Sequence, residues 1–302
     1  MKKLSNKTKG IICILFSAFC FSGMSSFINL SGDLPVAQKV FFRNLVAFFI
    51  AAGTLLKNHE SLKPVKGALP FHFIRSAVGL IGVYGNFYAT THMAHTADAA
   101  MLNKLSPFFT LLFSAIFLKE KVKPKQALAI LGAFIGSMFV IKPTLSNVEL
   151  VPSIAGLIGG IGAGAAYTCV RHMGNIGENP RFTVFHFSAF SIAVTLPFFI
   201  LSYQPMSTKQ LAFLLLVGIC AAGGQFGITK AYTYAPSREI SVYDYSNIVF
   251  VAIEGYLFLG HQIPDILSIV GYIVICSMAL WMFIYNNRES QLKNLKNANI
   301  LL

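Results

Sequence analysis

Six ionisable residues stand inside otherwise apolar stretches of this sequence: Arg43, Arg75, Asp98, Lys104, Asp244 and Glu254. A charge at the centre of a bilayer costs about 3 kcal/mol, so such groups face a water-filled cavity or one another. Cationic and anionic groups together are compatible with a zwitterionic, amino-acid-like solute, and paired structural charges would look the same. A carboxylate desolvated beside a cavity can titrate near neutral pH, which makes Glu254 a candidate coupling site, with Arg75 and Arg43 as candidate charge partners. Depth sorts them further. At 1.5 Å per residue, Lys104 lies about 10 Å from the outer end of its segment and Glu254 about 8 Å from the outer end of its own. These two can share a level, and Arg75 with Asp244 can share the other. Lys104 and Asp244 come out about 12 Å apart in depth, so they are not expected to pair. Two outcomes stay open: the level-matched groups are structural pairs, or at least one member binds substrate or a proton.

Polar and aromatic residues on the same stretches add a binding surface. Tyr84, Asn86, Tyr88, Asn103, Tyr167, Gln225, Tyr243 and Asn247 join Lys104 and Asp244 as candidate substrate contacts. Tyr and Asn suit a pocket that stacks on and hydrogen-bonds a small organic solute, although hydrogen bonds between helices would use the same residues. Tyr84 and Tyr88 are four apart and share a helix face. Of the histidines, only His72 and His186 fall near helix interiors, and no pair has metal-ligand spacing within a span, so no metal is expected. His95 and Asp98, three apart, are the nearest approach to an acid-base set, and capping of a helix explains them. Cys13, Cys20, Cys169, Cys220 and Cys276 all lie in apolar runs without a CxxC pair and read as small buried hydrophobes. No cofactor motif is found.

The elements that must position these residues are helices. Of 302 residues, 55% are hydrophobic and only 12% charged, against about 25% charged in a soluble domain. Ten apolar segments run over 10–30, 37–56, 70–91, 97–117, 125–141, 151–171, 182–202, 209–231, 239–259 and 266–285. Their length suits helices crossing a core of about 30 Å, and none alternates as barrel strands do. The basic start, Met1–Lys9, followed by an apolar run imitates a signal peptide. The run is long and lacks a small-residue cleavage site, so it reads as the first helix.

The net charge of +13 is placed for a membrane and not for nucleic acid. With the N-terminus cytoplasmic, the basic residues of the inside segments are Lys2, Lys3, Lys7 and Lys9, then Lys57, Lys63 and Lys66, then Lys119, Lys121, Lys123 and Lys125. Arg171, Arg181, Lys230, Arg238, Arg288, Lys293 and Lys296 continue the set, while only Lys39, Lys142 and Lys209 fall outside. This bias predicts both termini on the cytoplasmic side of an inner (plasma) membrane and an even number of spans.

The two halves resemble each other. Met101–Val122 aligns with Val242–Ile263 at an offset of 141, and Leu131-Gly132 and Ser137-Met138 align with Val270-Gly271 and Ser277-Met278. Gly10 to Phe21-Ser22 matches Gly156 to Tyr167-Thr168. Five spans per half is odd, so the second half must enter from the opposite face. The expected fold is an all-α integral membrane protein of ten transmembrane helices in two inverted five-helix repeats, residues 1–144 and 151–285, with a cytoplasmic tail, 286–302, expected to be solvated and disordered. The sixth segment carries Gly156, Gly160 and Gly164, which permit close helix contact, either as plain packing or as a sliding surface.

With these motifs in hand, the sequence resembles the drug/metabolite transporter superfamily, EamA type. The resemblance is carried by the block 97–141, with Pro107, Leu118, Glu120, Gly132 and Gly136, and by Gly224–Met282. The second block holds Gly224-Gln225, Thr229-Lys230-Ala231-Tyr232, Ala235-Pro236-Ser237 and Asp244-Tyr245-Ser246. Phe42-Arg43 and Arg75 fit as well. The second half departs where His261 replaces the usual acid and Ile248 stands opposite Pro107. The resemblance implies a ten-helix carrier whose central cavity is lined by the first, third, fourth, sixth, eighth and ninth helices. Such carriers move amino-acid-like or nucleotide-like metabolites or drugs, coupled to protons or by exchange. The expected partners are a small-molecule substrate and the bilayer, without nucleic acid, and either a monomer or a homodimer fits. The competing class is a membrane-embedded enzyme acting on a lipid-soluble substrate.

Overall fold

The computed structural model describes residues 4–92, 102–141, 150–258 and 266–300. Every described regular element is helical: α1 (Asn6–Leu30), α2 (Val36–Lys57), α3 (Leu69–His92), α4 (Ser106–Phe117) and α5 (Pro124–Ile141). They continue with α6 (Leu150–Asn175), α7 (Pro180–Leu201), α8 (Thr208–Tyr234), α9 (Ser246–Phe258) and α10 (Ile266–Ile300). A four-residue helical turn, Ser237–Ile240, and a 3-10 helix, Ser241–Tyr245, join α8 to α9.

Local chemistry sets the boundaries. Ser5 caps α1 by accepting from the Thr8 N–H, and Asn179 caps α7 with Pro180 in its first turn. Ser207 and Gln210 form a reciprocal capping box on α8. That helix ends where Pro236 forces Ala235 into extended backbone (φ −143°, ψ 150°). The end of α2 closes with His59 in the left-handed region (φ 50°) and the Glu60 N–H on the Leu55 carbonyl, which turns Glu60 back toward the bundle.

Helices α1, α2, α6, α7, α8 and the Ile266–Glu289 part of α10 are long and apolar enough to cross a membrane, while Ser106–Phe117 and Pro124–Val140 are apolar but shorter. The segments expected from hydropathy are thus of unequal length, with 125–141 among the short ones. The fourth and ninth segments are interrupted. Pro107, lacking an N–H, cannot bond the Asn103 carbonyl, and Lys104–Leu105 form a turn ahead of α4. The ninth segment spends five residues in the 3-10 helix before α9 begins. The expected disordered tail also differs: α10 runs on to Ile300, through residues that lack the helix breakers Gly and Pro.

Packing follows a pattern. Helix α1 lies along α8, α3 along α6, α2 against α7, α5 against α10, α4 against α6, and α1 against α9. The α3–α6 contact is backbone-close. A Cβ on Gly162 would stand 2.6 Å from the Val78 carbonyl oxygen, and one on Gly85 2.4 Å from that of Ala155. The glycines Gly156, Gly160 and Gly164 instead face Leu102 and Phe109.

One large core holds one end of the bundle. It contains Ile11 and Ile14 of α1, Leu111 of α4, Ile130 of α5, Met173 of α6, Ile228 and Tyr232 of α8, Tyr245 and Met282. Contacts between Lys7 and Asn287, Lys123 and Glu289, and Glu60 and Arg181 gather the start of α1 and the neighbouring helix ends at this same end. It is called the N-terminal face below.

Candidate functional site

Beyond this core lies a cavity of about 140 Å³ lined by Arg43, Arg75, Asn86, Asn103, Lys104, Tyr167, Gln225, Asp244 and Asn247, together with Phe21, Met24, Ser25 and Phe187. Helix order shows why it is separated from the N-terminal face. On α1 the core residues Ile11 and Ile14 precede the cavity residues, and on α6 and α8 Val170, Met173 and Ile228 follow Tyr167 and Gln225.

Arg75 is buried to 2% exposure. Its Nη2 donates to the Gln225 Oε1 at 2.6 Å, and the guanidinium stacks 3.7 Å from the centre of the Phe187 ring. Its Nε and Nη1 have no partner. Arg43, also 2% exposed, donates from Nη1 to Asn44 Oδ1 at 3.0 Å, and its Nε lies 3.4 Å from the Met24 sulfur. Lys104 donates to Asn247 Oδ1 at 2.8 Å, and Asn247 Nδ2 donates to the Ala18 carbonyl. Tyr167 stacks on Tyr232 at 5.4 Å, within electrostatic reach of Arg43, Arg75 and Asp244.

The two helix interruptions meet at the cavity. The Tyr245 hydroxyl donates to the Lys104 carbonyl at 2.9 Å, an acceptor that the turn has released from the helical ladder. This junction corrects the depth arithmetic. Asp244 comes within electrostatic reach of Lys104, whereas Glu254 instead accepts from Ser22 Oγ at 2.8 Å and Ser26 Oγ at 3.3 Å, between α1 and α9. Neither Lys104–Glu254 nor Arg75–Asp244 forms an ion pair among the described residues. The arithmetic failed because it treated both spans as straight and unbroken.

Of the other expected contacts, Tyr84 and Tyr88 line an apolar groove with Leu80, Ile158, Phe190 and Phe198, away from the charged cavity. Tyr243 packs into the large core. Glu254 does not line the cavity. Asp98, His95 and His261 lie outside the described residues. The cavity also uses the second and seventh helices, through Arg43 and Phe187, in addition to the six that the family resemblance implied. Phe187, the platform under Arg75, escaped sequence reading. It is one of 28 phenylalanines, and an apolar residue in an apolar helix carries no contrast.

The arrangement is that of a helical membrane protein enclosing a polar cavity walled by helices from both halves of the chain. The chain belongs to the EamA-like transporter family, whose model matches residues 8–142 and 151–284, as the resemblance carried by the Pro107 and Asp244 blocks had implied. It is 28% identical over 268 residues to the pseudopaline exporter CntI of Pseudomonas aeruginosa, covering 88% of this chain and 93% of that protein. It is 25% identical to a riboflavin transporter of Vibrio cholerae, over 90% of this chain and 92% of that one. Human solute carrier family 35 member G1 is 24% identical over 83% of this chain and 73% of its own. A solved crystal structure shares the fold with a TM-score of 0.79 at 15% identity, over 93% of this chain and 98% of that one. The family and these relatives are transporters, so the protein is a membrane transporter and not an enzyme.

Proposed function

We propose that the protein is a secondary transporter that carries a small organic solute bearing an anionic group across the inner membrane by alternating access. The observation that carries this reading is Arg75: a buried cation whose Nε and Nη1 lack partners while its side chain lines the cavity. A buried donor left unsatisfied costs about 1–3 kcal/mol, and more when charged. A carboxylate or phosphate oxygen from the solute would remove that cost. The lining adds Arg43 and Lys104 against the single acid Asp244, so the wall favours solutes with excess negative charge, amino-acid-like or nucleotide-like. The exporter among its relatives favours outward movement.

The same reading takes the fold as two inverted five-helix repeats with both termini cytoplasmic. Two observations support it. Exchanging each of α1–α5 with the helix five later converts α1–α8 into α3–α6 and α4–α6 into α1–α9, and returns α2–α7 and α5–α10 to themselves, whereas the extensive α2–α8 contact maps onto a slighter α3–α7 one. The family model also matches the chain twice. Coupling is to protons or by exchange, and the transporting unit is a monomer or a homodimer.

The test is a thermal-shift and binding screen of purified protein against carboxylate- and phosphate-bearing metabolites, with riboflavin and organic cations in the panel. Arg75→Met is expected to weaken binding of the best anionic hit by about tenfold or more, roughly 1.4 kcal/mol. Arg75→Lys should recover only part of it, because a fork becomes a point charge. Selective stabilisation by cations, or equal binding by Arg75→Met, would overturn the reading.

A further inference from the structure

The apolar core that seals the cavity from the N-terminal face is built from α1, α4, α5, α6, α8 and α10 and the segment before α9. Between α3 and α7 the seal is of another kind. There, His72 is fully buried, with Nε2 3.1 Å from the Glu178 Oε2, a close contact without hydrogen-bond alignment, and with Nδ1 unpartnered as well. The His186 ring stands 5.0 Å from the His72 ring, and its Nδ1 is 3.2 Å from the Ser76 Oγ. Ser76 follows Arg75 in sequence, and His186 precedes Phe187, the two residues that stack at the cavity wall. A polar thread therefore runs from the N-terminal face to the cavity: Glu178, His72, His186 and Ser76, with Arg75 next to it.

We infer that His72, His186 and Glu178 form a proton-binding site that connects water at the N-terminal face with the Arg75 wall of the cavity. The ligand is a proton, and the imidazoles are its carriers, since histidine is the side chain whose ordinary titration falls between pH 5 and 8. Glu178, in the loop before α7, is not the carrier. Burial pushes its carboxyl up, but the adjacent His72 ring and hydrogen bonds from the backbone N–H groups of Asn179 and Val65 outweigh this and hold it below the usual carboxylate range. A lowered carboxyl stabilises the fold above its ordinary range and loses that contribution only as the pH falls through the lowered value. Glu178 is thus ionised throughout the range in which imidazoles exchange protons, a fixed counter-charge for the proton.

The other charged groups around the cluster are accounted for. On α3 and α2 stand Arg75 and Arg43. On α6, His172 stacks against Phe71 at 4.1 Å. At the face itself, Arg181 pairs with Glu60. Two imidazoles 5 Å apart beside a guanidinium repel double protonation, so the cluster takes one proton at a time. That proton adds positive charge next to Arg75. An anionic solute at Arg75 and the proton then favour each other's binding reciprocally, which is what proton-coupled movement of an anion requires. This last step rests on the proposed anion site, whereas the proton site itself does not.

The experiment needs no solute. Histidine-labelled protein in lipid nanodiscs is titrated from pH 5 to 9 by 15N NMR, with His72→Gln and His186→Gln assigning the two signals. The two imidazole signals are expected to shift together as the pair takes up a single proton, and removing either ring is expected to move the midpoint of that shared transition by on the order of one pH unit, the size of a charge–charge coupling at 5 Å. Glu178→Gln is expected to move the His72 midpoint more than that of His172. Should a variant fail to fold, the wild-type titration still decides, because the five other histidine signals are assigned by their own Gln variants. Two cluster signals that do not change between pH 5 and 9, or that titrate independently, would overturn the inference while leaving the anion site standing. Failure of the solute screen would leave the proton site standing.

Discussion

The two ends of the bundle are held by different chemistry. At the N-terminal face, ion pairs join the first half of the chain to the second: Glu60 with Arg181, Glu120 with Arg171 at 2.9 Å, and Lys123 with Glu289. Arg238 stands 4.0 Å from Glu120. The large core lies directly beneath them. At the other end, the described contacts between halves include no ion pair: the Glu254 carboxyl accepts from Ser22 and Ser26, and the rest join neutral groups. Gln38 Nε2 donates to the Gln204 carbonyl, the Gln204 N–H donates to Gln38 Oε1, both at 3.0 Å, and Gln210 Nε2 donates to the Ser31 carbonyl. The clusters behind them are small: Met24, Val217 and Ala221 on one side, Val40, Leu80 and Phe87 on the other. Charge-assisted bonds are about twice as strong as neutral ones. Among the described residues, the N-terminal face is therefore the more strongly held of the two ends. On the alternating cycle proposed above, this stronger latch must break.

The most direct way to break this contrast is Glu120. Its side chain is 9% exposed and bonds Arg171, and the Arg171 Nη1 also donates to the Tyr232 carbonyl. Glu120→Gln removes the carboxylate that stands near both Arg171 and Arg238. Loss of one partner from a buried pair costs about 3 kcal/mol at the lower end of the range. The expected result is a lower melting temperature and faster amide exchange in residues 118–123 and 235–240, with residues 202–210 unchanged. If the melting temperature held, the ion pairs would not be what closes this face.

Much of this architecture was legible in the sequence, and the failures share a cause. Hydropathy found the ten segments, and the list of in-span ions found Arg43, Arg75, Lys104 and Asp244, because a charge in an apolar run is a strong contrast. Partnership was not legible. Pro107 was visible as a mid-helix residue, but that it frees carbonyls and lets Tyr245 reach Lys104 depends on two interruptions meeting in space. Tyr84, Tyr88 and Tyr243 have the right chemistry for a pocket and face elsewhere, since residue type does not report helix rotation. His72 and His186 were noted only as histidines near helix interiors. Their 5.0 Å approach joins helices more than 100 residues apart in the chain, and nothing local signals it.

A smaller effect is expected at the neutral end. Gln38→Ala removes two hydrogen bonds to the Gln204 backbone, each worth about 1 kcal/mol net. Exchange of the Gln204 amide should rise by roughly tenfold for each 1.4 kcal/mol lost, with no change in residues 118–123. An equal rise at the N-terminal face would show that the two ends do not open independently, and the contrast between them would lose its mechanical meaning.

The smallest effect sharpens the contrast by separating burial from charge. Lys123 and Glu289 form an ion pair in the same face as Glu120, but their side chains are 47% and 33% exposed. A solvent-exposed pair contributes little and is screened by salt. Lys123→Ala is therefore expected to leave the melting temperature within about 1 °C to 3 °C of the parent, on the scaling of a few degrees per kcal/mol for chains of this size. Raising the salt concentration should remove even that difference. Glu120→Gln should instead keep its full effect in salt, because partly buried pairs are screened much less. Should Lys123→Ala destabilise the face as much as Glu120→Gln does, the number of ion pairs would hold this end shut. The expected inequality assigns the latch to the desolvated carboxylate between Arg171 and Arg238, packed against the core that closes the cavity from below.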